Sequence, residues 1–230
     1  MDIASPAAVL FDFDGTLVDT EPYWTRGRVD MLHDLGVPYS LEQSEQLRGA
    51  SREDSQAALM RQLELNGFDT STIDDDEFYE DLCQRVVEQI ETLGAPWLPG
   101  VPALLADLKE KGVPCAVVSA SPESVLLAGL KEFPPDVISI VVDGTMVNQS
   151  KPDPESYLMA ADLLGVRPED CVVIEDTVAG AASGRGAGAV VIAVPDMYDV
   201  PDAPHQVKVQ TLEGVDAARL VELYRQGLDT

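Results

Sequence analysis

The sequence predicts a doubly wound α/β fold, in which helices cover both faces of a parallel sheet. Its predicted strands are five short runs rich in apolar and β-branched residues, at 7–11, 113–119, 137–142, 171–175 and 189–194. Continuous rather than alternating apolar runs are typical of strands that are buried on both faces. Helical patterns fall between these runs, and such alternation indicates a Rossmann-like core with a parallel sheet.

Three segments after residue 100 carry the helical pattern most clearly. Their apolar residues recur at i, i+3, i+4 and i+7, the spacing that places side chains on one face of a helix. The members are Val101, Leu104, Leu105 and Leu108; Tyr157, Ala160, Ala161 and Leu164; and Ala217, Leu220, Val221 and Tyr224. Each set predicts a helix that packs its apolar face on the sheet.

Residues 20–96 differ from the rest of the chain, because they are acidic and contain no convincing strand. Helical periodicity is clearest at Phe78, Leu82, Val86, Ile90 and Leu93, and the segment ends at the Pro/Gly-rich sequence GAPWLPG. We therefore predict two domains: an α/β core formed by 1–19 and 97–230, and a smaller inserted α-helical cap domain formed by 20–96.

Composition and charge exclude several classes of function. The 230 residues include 15 Lys and Arg against 41 Asp and Glu, and the net charge of −26 repels nucleic-acid backbones and anionic membrane surfaces. No apolar run is long enough to span a bilayer, and the first residues lack the pattern of a secretory signal. Three dispersed cysteines and two histidines argue against a disulfide framework or a zinc site. We expect a cytoplasmic monomer that binds neither nucleic acid nor membrane.

Polar side chains follow three of the predicted strands. They are Asp12, Asp14 and Gly15 after the first strand, Ser119 after the second, and Glu175 and Asp176 after the fourth; Lys151 stands in the turn SKPDP before a predicted helix. In an open parallel sheet, ligands bind beyond the carboxyl ends of the strands. Carboxylates suit a hard cation, and lysine and hydroxyl groups suit phosphoryl oxygens, so this grouping predicts a magnesium–phosphate site.

Four sequence motifs carry a family resemblance. DFDGTLVDTE (12–21), VVSAS (117–121), SKPDP (150–154) and VIEDTVAG (173–180) resemble the four ordered motifs of the haloacid dehalogenase-like superfamily. The resemblance is to its phosphatase and phosphomutase branch, which has a helical cap inserted after the first motif, and it covers nearly the whole chain. The DxDGT motif is highly specific, whereas the other three gain specificity from their order and spacing.

The resemblance implies a catalytic role for each of four residues. Asp12 is the nucleophile that attacks phosphorus and forms an aspartyl-phosphate, which divides one difficult displacement into two easier ones. Asp14 is the general acid for the leaving alcohol and then the base for water. Ser119 donates a hydrogen bond to the phosphoryl group, and Lys151 pairs with that group and with Asp12.

The same resemblance implies a Mg²⁺ site. Asp12, Asp176 and the main-chain carbonyl of Asp14 would be its ligands, and Glu175 would act through a water molecule or by supporting the ligands. Glu175 and Asp176 also suit the N-cap of the following helix, where negative charge is favourable. The glycine-rich stretch GAASGRGAG at 180–188 does not follow the order of a dinucleotide fingerprint, and the sequence offers no reason for its glycines.

Five positions are implied to bind substrate. Gly15 turns the backbone so that N–H groups face the phosphoryl oxygens, and Ala120 lies in the second motif. In the cap, QLRGASREDSQ (46–56) resembles the loop of the β-phosphoglucomutase-like branch. Arg48 and Gly49 match a basic–glycine pair there, and Arg52 matches an arginine that grips a distal phosphate through two parallel bonds. The alternative is that Arg52 pairs with an acid on a solvated helix, as exposed arginines often do.

One departure from the mutase pattern affects the predicted reaction. Trp24 stands near the position where the mutases usually have a histidine that couples substrate to the general acid, which favours transfer to water. We therefore predict a magnesium-dependent phosphatase acting on a small phosphorylated metabolite such as a sugar phosphate. A hexose phosphomutase is the first alternative. A dehalogenase, which needs neither Asp14 nor magnesium, and a non-catalytic binding module are more remote.

Overall fold

The computed structural model describes residues 5–134, 136–195 and 199–230. Within these residues, six parallel strands form one sheet in the order β3-β2-β1-β4-β5-β6. The strands are β1 (Ala8–Phe11), β2 (Cys115–Val118), β3 (Ile140–Val142), β4 (Cys171–Glu175), β5 (Val190–Ala193) and β6 (Gln206–Lys208). The order reverses between β1 and β4, so the chain is doubly wound, as predicted, and the crevice for ligands lies at the carboxyl ends of these two strands.

The central strands are buried on both faces, which explains their continuous apolar sequences. β1, β2, β4 and β5 consist entirely of buried residues. Alternate residues belong to two apolar clusters: Val9, Phe11 and Ile174 lie in one cluster, whereas Leu10 and Val173 lie in the other. This period of two is that of a strand whose side chains point to opposite faces.

The five predicted strands are present, but β6 was not predicted from the sequence. Among residues 5–134, 136–195 and 199–230 this edge strand pairs only with β5, and two of its three residues are half-buried. Its sequence QVK has no apolar run, because an edge strand with one partner and partial cover does not need one.

The helices of the sheet region include the three predicted from apolar spacing. These are α5 (Val101–Glu110), α7 (Glu155–Leu164) and α9 (Ala217–Leu228); α6 (Glu123–Leu130) and α8 (Val178–Gly186) complete this region. Each predicted helix buries the face that its spacing indicated, for example Leu104, Leu105 and Leu108 of α5.

Between β1 and α5 the chain forms four α-helices and one 3-10 turn. They are α1 (Glu21–Asp34), α2 (Leu41–Glu45), α3 (Arg52–Leu65), the turn Thr70–Thr72, and α4 (Asp75–Leu93). The predicted periodicity of α4 corresponds to its buried residues Leu82, Val86 and Ile90. α4 packs against both α1 and α6, so it contacts both the helical segment and the sheet region. No described helix is long and apolar enough to cross a membrane.

Two connections join this helical segment to the sheet region, and they run side by side. Val18 forms an antiparallel bridge with Trp97, the Asp19 N–H donates to the Pro96 carbonyl at 2.9 Å, and the Leu98 N–H donates to the Leu17 carbonyl at 3.0 Å. The predicted domain boundaries at 19/20 and 96/97 fall on this short ribbon, and the division into two domains stays a prediction.

Candidate active site

Three carboxylates meet at the carboxyl ends of the two central strands. Asp12 follows β1, Glu175 is the last residue of β4, and Asp176 comes next. The strands pair directly, with Phe11 opposite Ile174, and one oxygen from each of the three acids lies within 4.8 Å of the others. The sheet therefore brings together side chains that are more than 160 positions apart in the sequence.

Lys151 is the cation within this cluster. Its Nζ donates to Asp12 Oδ1 at 2.6 Å, to Glu175 Oε1 at 2.7 Å and to the Val118 carbonyl at 3.0 Å. When all three acids are ionised, the three carboxylates and the one ammonium carry a net charge of −2 in this largely buried place. That charge and the carboxylate oxygens fit a divalent cation of the hard, oxygen-binding kind.

The pKa values of the acids show how unfavourable this charge is without further compensation. Burial raises the pKa of Asp12 to about 7; Lys151 opposes this effect and Glu175 adds to it. Burial, together with Asp12 and Glu175, raises the pKa of Asp176 to about 9. Burial alone would lower the pKa of Lys151, but Asp12 and Glu175 outweigh it and raise that pKa. The lysine is therefore charged, and it is the one positive neighbour of these acids within the part of the chain that the structure describes.

Glu175 uses both carboxylate oxygens within the protein. Its Oε1 accepts from the Tyr157 hydroxyl at 2.8 Å in addition to Lys151, and its Oε2 accepts from the Thr177 N–H at 3.2 Å and hydroxyl at 3.0 Å. These bonds hold Glu175 as the anchor of Lys151. The spacing of Tyr157 in the sequence predicts the apolar face of a helix and indicates no role for its hydroxyl group.

The N-terminus of α8 differs from the sequence prediction that Glu175 and Asp176 cap this helix. It also explains why the helix contains glycines. Thr177, rather than Glu175 or Asp176, caps the helix, and its hydroxyl accepts from the Gly180 N–H at 3.0 Å. A Cβ atom on Gly180 would lie 1.7 Å from Glu175 Oε1, and one on Gly184 would lie 2.9 Å from Val173. Glycine therefore lets α8 approach the anchoring acid and strand β4 closely.

Asp14 lies outside the acidic cluster and is held by hydroxyl groups. Its Oδ1 accepts from the Thr20 hydroxyl, and its Oδ2 accepts from Ser119 at 3.1 Å and Ser121 at 2.6 Å. Ser119 is buried and also accepts from the Ser121 N–H at 3.0 Å. The predicted phosphoryl-binding hydroxyl is thus a partner of the predicted general acid, and Thr20 and Ser121 join it there.

Gly15 forms the turn that follows Asp14. Its own N–H donates to the Val18 carbonyl at 2.8 Å, and the expectation that other N–H groups of this turn face the phosphoryl oxygens stays a prediction. The glycine is needed because its φ is +81° and because a Cβ would lie 2.3 Å from Asp176 Oδ2. Ala120 is exposed at the same edge, with its carbonyl close to Gly144.

The predicted substrate loop of the helical segment closes on the start of α1. Arg48 pairs with Asp19 at 3.2 Å, and the Gly49 N–H donates to Glu21 Oε1 at 2.7 Å. Glu21 directly follows Thr20, which holds Asp14, so this part of the loop lies beside the predicted general acid.

Arg52 is engaged within the helical segment. It pairs with Asp76 and lies over the ring of Tyr79 at 4.3 Å from the centroid. Trp24 stacks with the same ring, with the centroids 6.3 Å apart. These contacts agree with the alternative from the sequence, in which Arg52 pairs with an acid. The binding of a phosphate by Arg52 stays a prediction.

A doubly wound sheet with clustered carboxylates and a buried lysine at its carboxyl edge defines a class of enzymes that act on phosphoryl groups through carboxylate chemistry. Residues 6–188 match the family of haloacid dehalogenase-like hydrolases, and the chain belongs to that family. The resemblance predicted from the four motifs is therefore confirmed.

Individual relatives include phosphatases and mutases. The chain is 36% identical over 192 residues to hexitol phosphatase A of Escherichia coli, covering 84% of each chain. It is 30% identical over 193 residues to β-phosphoglucomutase of Bacillus subtilis, covering 81% of this chain and 82% of the relative. The crystal structure of β-phosphoglucomutase from Clostridium difficile matches with a TM-score of 0.77 and 25% identity, over 98% of this chain and 100% of that one.

Proposed function

We propose that this protein is a magnesium-dependent phosphatase that hydrolyses a small sugar phosphate through an aspartyl-phosphate on Asp12. The observation that carries this proposal is the contact of Lys151 with Asp12 and Glu175 inside a cluster of three carboxylates that could hold a metal ion. Support for the substrate class comes from the hexitol phosphatase to which the chain is similar. We also propose that the enzyme is a cytoplasmic monomer.

In the first step, an oxygen of Asp12 attacks phosphorus and the bond from phosphorus to the substrate oxygen breaks. Lys151 holds the other Asp12 oxygen and orients the carboxylate for attack, and Glu175 holds Lys151. Asp14, in its protonated form, gives a proton to the departing alcohol oxygen. In the second step, Asp14 takes a proton from water as the water oxygen attacks phosphorus, which releases phosphate and regenerates Asp12.

The residues that would hold Mg²⁺ are Asp12, Asp176 and the Asp14 carbonyl. Such an ion neutralises charge on the phosphoryl oxygens and on the acidic cluster when it is bound. Glu175 is committed to Lys151, Tyr157 and Thr177, so its role in this proposal is to fix the lysine rather than to ligate the ion directly.

Ser119 connects phosphate binding to the general acid. A serine hydroxyl has one hydrogen to donate, and that of Ser119 is given to Asp14 Oδ2. A phosphoryl group that takes this hydrogen bond therefore releases Asp14 from one of its three hydroxyl partners. We expect substrate binding to free Asp14 in this way to approach the leaving group.

The test is hydrolysis of an aryl phosphate and of a panel of sugar and sugar-alcohol phosphates, with and without Mg²⁺. We expect turnover that requires the metal ion and is highest within the sugar-phosphate group. A wild-type protein that releases no phosphate from any of them in the presence of Mg²⁺ would contradict the proposal.

A hexose phosphomutase is the alternative, because the chain also has 30% identity to a β-phosphoglucomutase. Against it, Trp24 is 7% exposed and stacks on Tyr79, so the predicted position of the mutase histidine holds an indole without acid–base function. The lifetime of the phosphoenzyme separates the two reactions. In a phosphatase, water removes the phosphoryl group rapidly, whereas in a mutase it persists until a sugar phosphate accepts it.

A further inference from the structure

Arg28 is a buried cation that the proposed mechanism does not use. It lies in the middle of α1 and is 4% exposed. Its Nε donates to the Ser55 hydroxyl at 3.1 Å, but its Nη1 is buried without a hydrogen-bond partner, and no carboxylate of the described residues forms an ion pair with it. A buried guanidinium without such a partner is costly to keep in a folded protein.

A buried acceptor without a partner accompanies this donor. Glu21 lies two helical turns before Arg28, and while its Oε1 accepts from the Gly49 N–H, its Oε2 is buried and unpaired. Their charges interact without direct contact: Arg28 lowers the pKa of Glu21, although burial outweighs this and raises it. The structure thus has a donor and an acceptor on one side of α1 that have no partner in the described chain.

The location of these two groups relates them to the leaving group of the reaction. Glu21 follows Thr20, whose hydroxyl holds Asp14, and Asp14 is the residue proposed to protonate the departing oxygen. The leaving alcohol therefore lies on the side of the site where α1 begins. Both unpaired atoms are shielded from solvent, and because the Gly49 N–H bonds to the Glu21 carboxylate, the loop that carries Gly49 has to move for a substrate to reach Glu21.

The chemistry of the pair selects one kind of ligand. A carboxylate only accepts hydrogen bonds and a guanidinium only donates them, whereas a hydroxyl group does both. A second phosphate would satisfy Arg28 but would be repelled by Glu21. Accepting the proposed function, we infer that Glu21 and Arg28 bind hydroxyl groups of the leaving alcohol, and so select polyol phosphates over phosphates without hydroxyl groups.

The experiment compares two substrates of equal carbon number, a hexitol 6-phosphate and hexyl phosphate, which differ in their hydroxyl groups. We expect the wild type to prefer the hexitol phosphate, and Arg28→Met to lower kcat/KM for it by roughly 10- to 100-fold, while hexyl phosphate changes by less than about 2-fold. Glu21→Gln should also lower the ratio of kcat/KM for the hexitol phosphate to kcat/KM for hexyl phosphate. Arg26→Met is the matched control, because Arg26 lies on the same helix, is exposed and pairs with Asp30 at 2.8 Å.

Equal losses on both substrates, or no loss on either, would overturn the inference and leave Arg28 with a structural role only. If Arg28→Met does not fold, the inference is tested by Glu21→Gln and by the substrate preference of the wild type. A wild type that hydrolyses hexyl phosphate as efficiently as the hexitol phosphate contradicts the inference. These outcomes require an active wild type, so they differ from a protein inactive on all phosphates, which would contradict the proposed function itself.

Discussion

The charged side chains at the sheet edge and those of the helical segment 21–93 are stabilised in different ways. At the sheet edge, the Lys151 side chain is 11% exposed and has three acceptors, two of them on buried acids. In the helical segment, Arg52 pairs with an Asp76 side chain that is 89% exposed, and Arg26 pairs with its exposed neighbour Asp30. The first set is a connected, buried network, and the second is a series of separate surface pairs.

This difference assigns different tasks to the two regions. Removing one member of a buried network leaves its partners uncompensated, so the sheet-edge groups have a single stable arrangement. Exposed pairs contribute little and exchange partners readily, so Arg52, unlike the buried Arg28, can turn to a ligand at small cost. Variants at the sheet edge should therefore affect the chemical step, and variants of the proposed ligand-binding residues of the helical segment should affect the choice of substrate.

The largest effect is expected for Asp12→Asn, which removes the nucleophile without changing its size. Turnover of every phosphate substrate should fall by about 10³-fold or more in steady-state assays. The control is Asp30→Asn in the helical segment, where the carboxylate only pairs with exposed Arg26 and turnover should not change. Unchanged turnover of Asp12→Asn would remove Asp12 from the chemistry.

Two lysine variants compare the buried network with a surface pair directly. Lys151→Met should lower the free energy of unfolding by about 3–5 kcal/mol in urea titrations without metal, because Asp12 and Glu175 lose their cation. Lys131→Met, which breaks the exposed pair with Glu91, should cost less than about 1 kcal/mol. Mg²⁺ should restore part of the lost stability in Lys151→Met but not in Lys131→Met. Equal losses of stability in the two variants would contradict the distinction between a buried network and a surface pair.

The raised pKa of Asp176 predicts a pH-dependent stability of the metal-free protein. The folded state holds the proton up to a pKa of about 9, whereas the ordinary value is 3.8, so the folded state binds the proton more tightly. Stability should therefore fall as pH rises from about 4 to about 9, by up to about 1.4 kcal/mol per pH unit. Asp176→Asn should be inactive and should flatten this dependence in thermal unfolding with a chelator present. The same dependence of stability on pH in the wild type and in Asp176→Asn would contradict the assignment of the raised pKa to Asp176.

Two glycines of α8 test how closely the helix must approach the site. Gly180→Ala should destabilise the protein by about 1–3 kcal/mol and lower kcat, because the new Cβ would displace Glu175 and with it Lys151. Gly186→Ala would place its Cβ 3.4 Å from Pro154 and should be neutral or slightly stabilising, since alanine favours a helix. Chemical denaturation and kcat of both variants check this, and an active, stable Gly180→Ala would show that Glu175 does not anchor the lysine.

The smallest effect is expected for Arg52→Ala. It should raise KM for a sugar phosphate more than for an aryl phosphate and change the free energy of unfolding by less than about 1 kcal/mol. The measurement is KM for both substrates beside thermal unfolding. Equal changes in KM would exclude Arg52 from substrate choice and leave it as the partner of Asp76.

The positions of the side chains at the sheet edge could be predicted because the sequence marks the ends of its strands. Four acids and a serine stand at the ends of apolar runs, and a parallel sheet brings such ends to one edge, whereas Lys151 was indicated by the turn SKPDP before a predicted helix. The structure places Asp12, Glu175 and Asp176 together and Lys151 between two of them, whereas Asp14 is not part of this cluster and accepts hydrogen bonds from hydroxyl groups.

The groups that support the site were harder to predict, since each depends on a tertiary contact. Tyr157 has the spacing of an apolar helix face, and its pattern does not reveal that the hydroxyl reaches Glu175. The use of the Gly15 N–H by Val18 and the burial of Arg28 within α1 are likewise set by neighbours distant from any motif. β6 was not predicted because an edge strand of three residues contains almost no apolar pattern.

The ribbon that joins Val18 to Trp97 has a consequence for how this chain can change. Because Asp19 and Pro96 are hydrogen-bonded neighbours, the 76 residues between them leave and re-enter the sheet region at one point. A segment with adjacent ends can change in length or sequence without altering the register of β1 or the position of Asp12. New substrate preferences can therefore arise from changes within this segment while the groups at the sheet edge remain as they are.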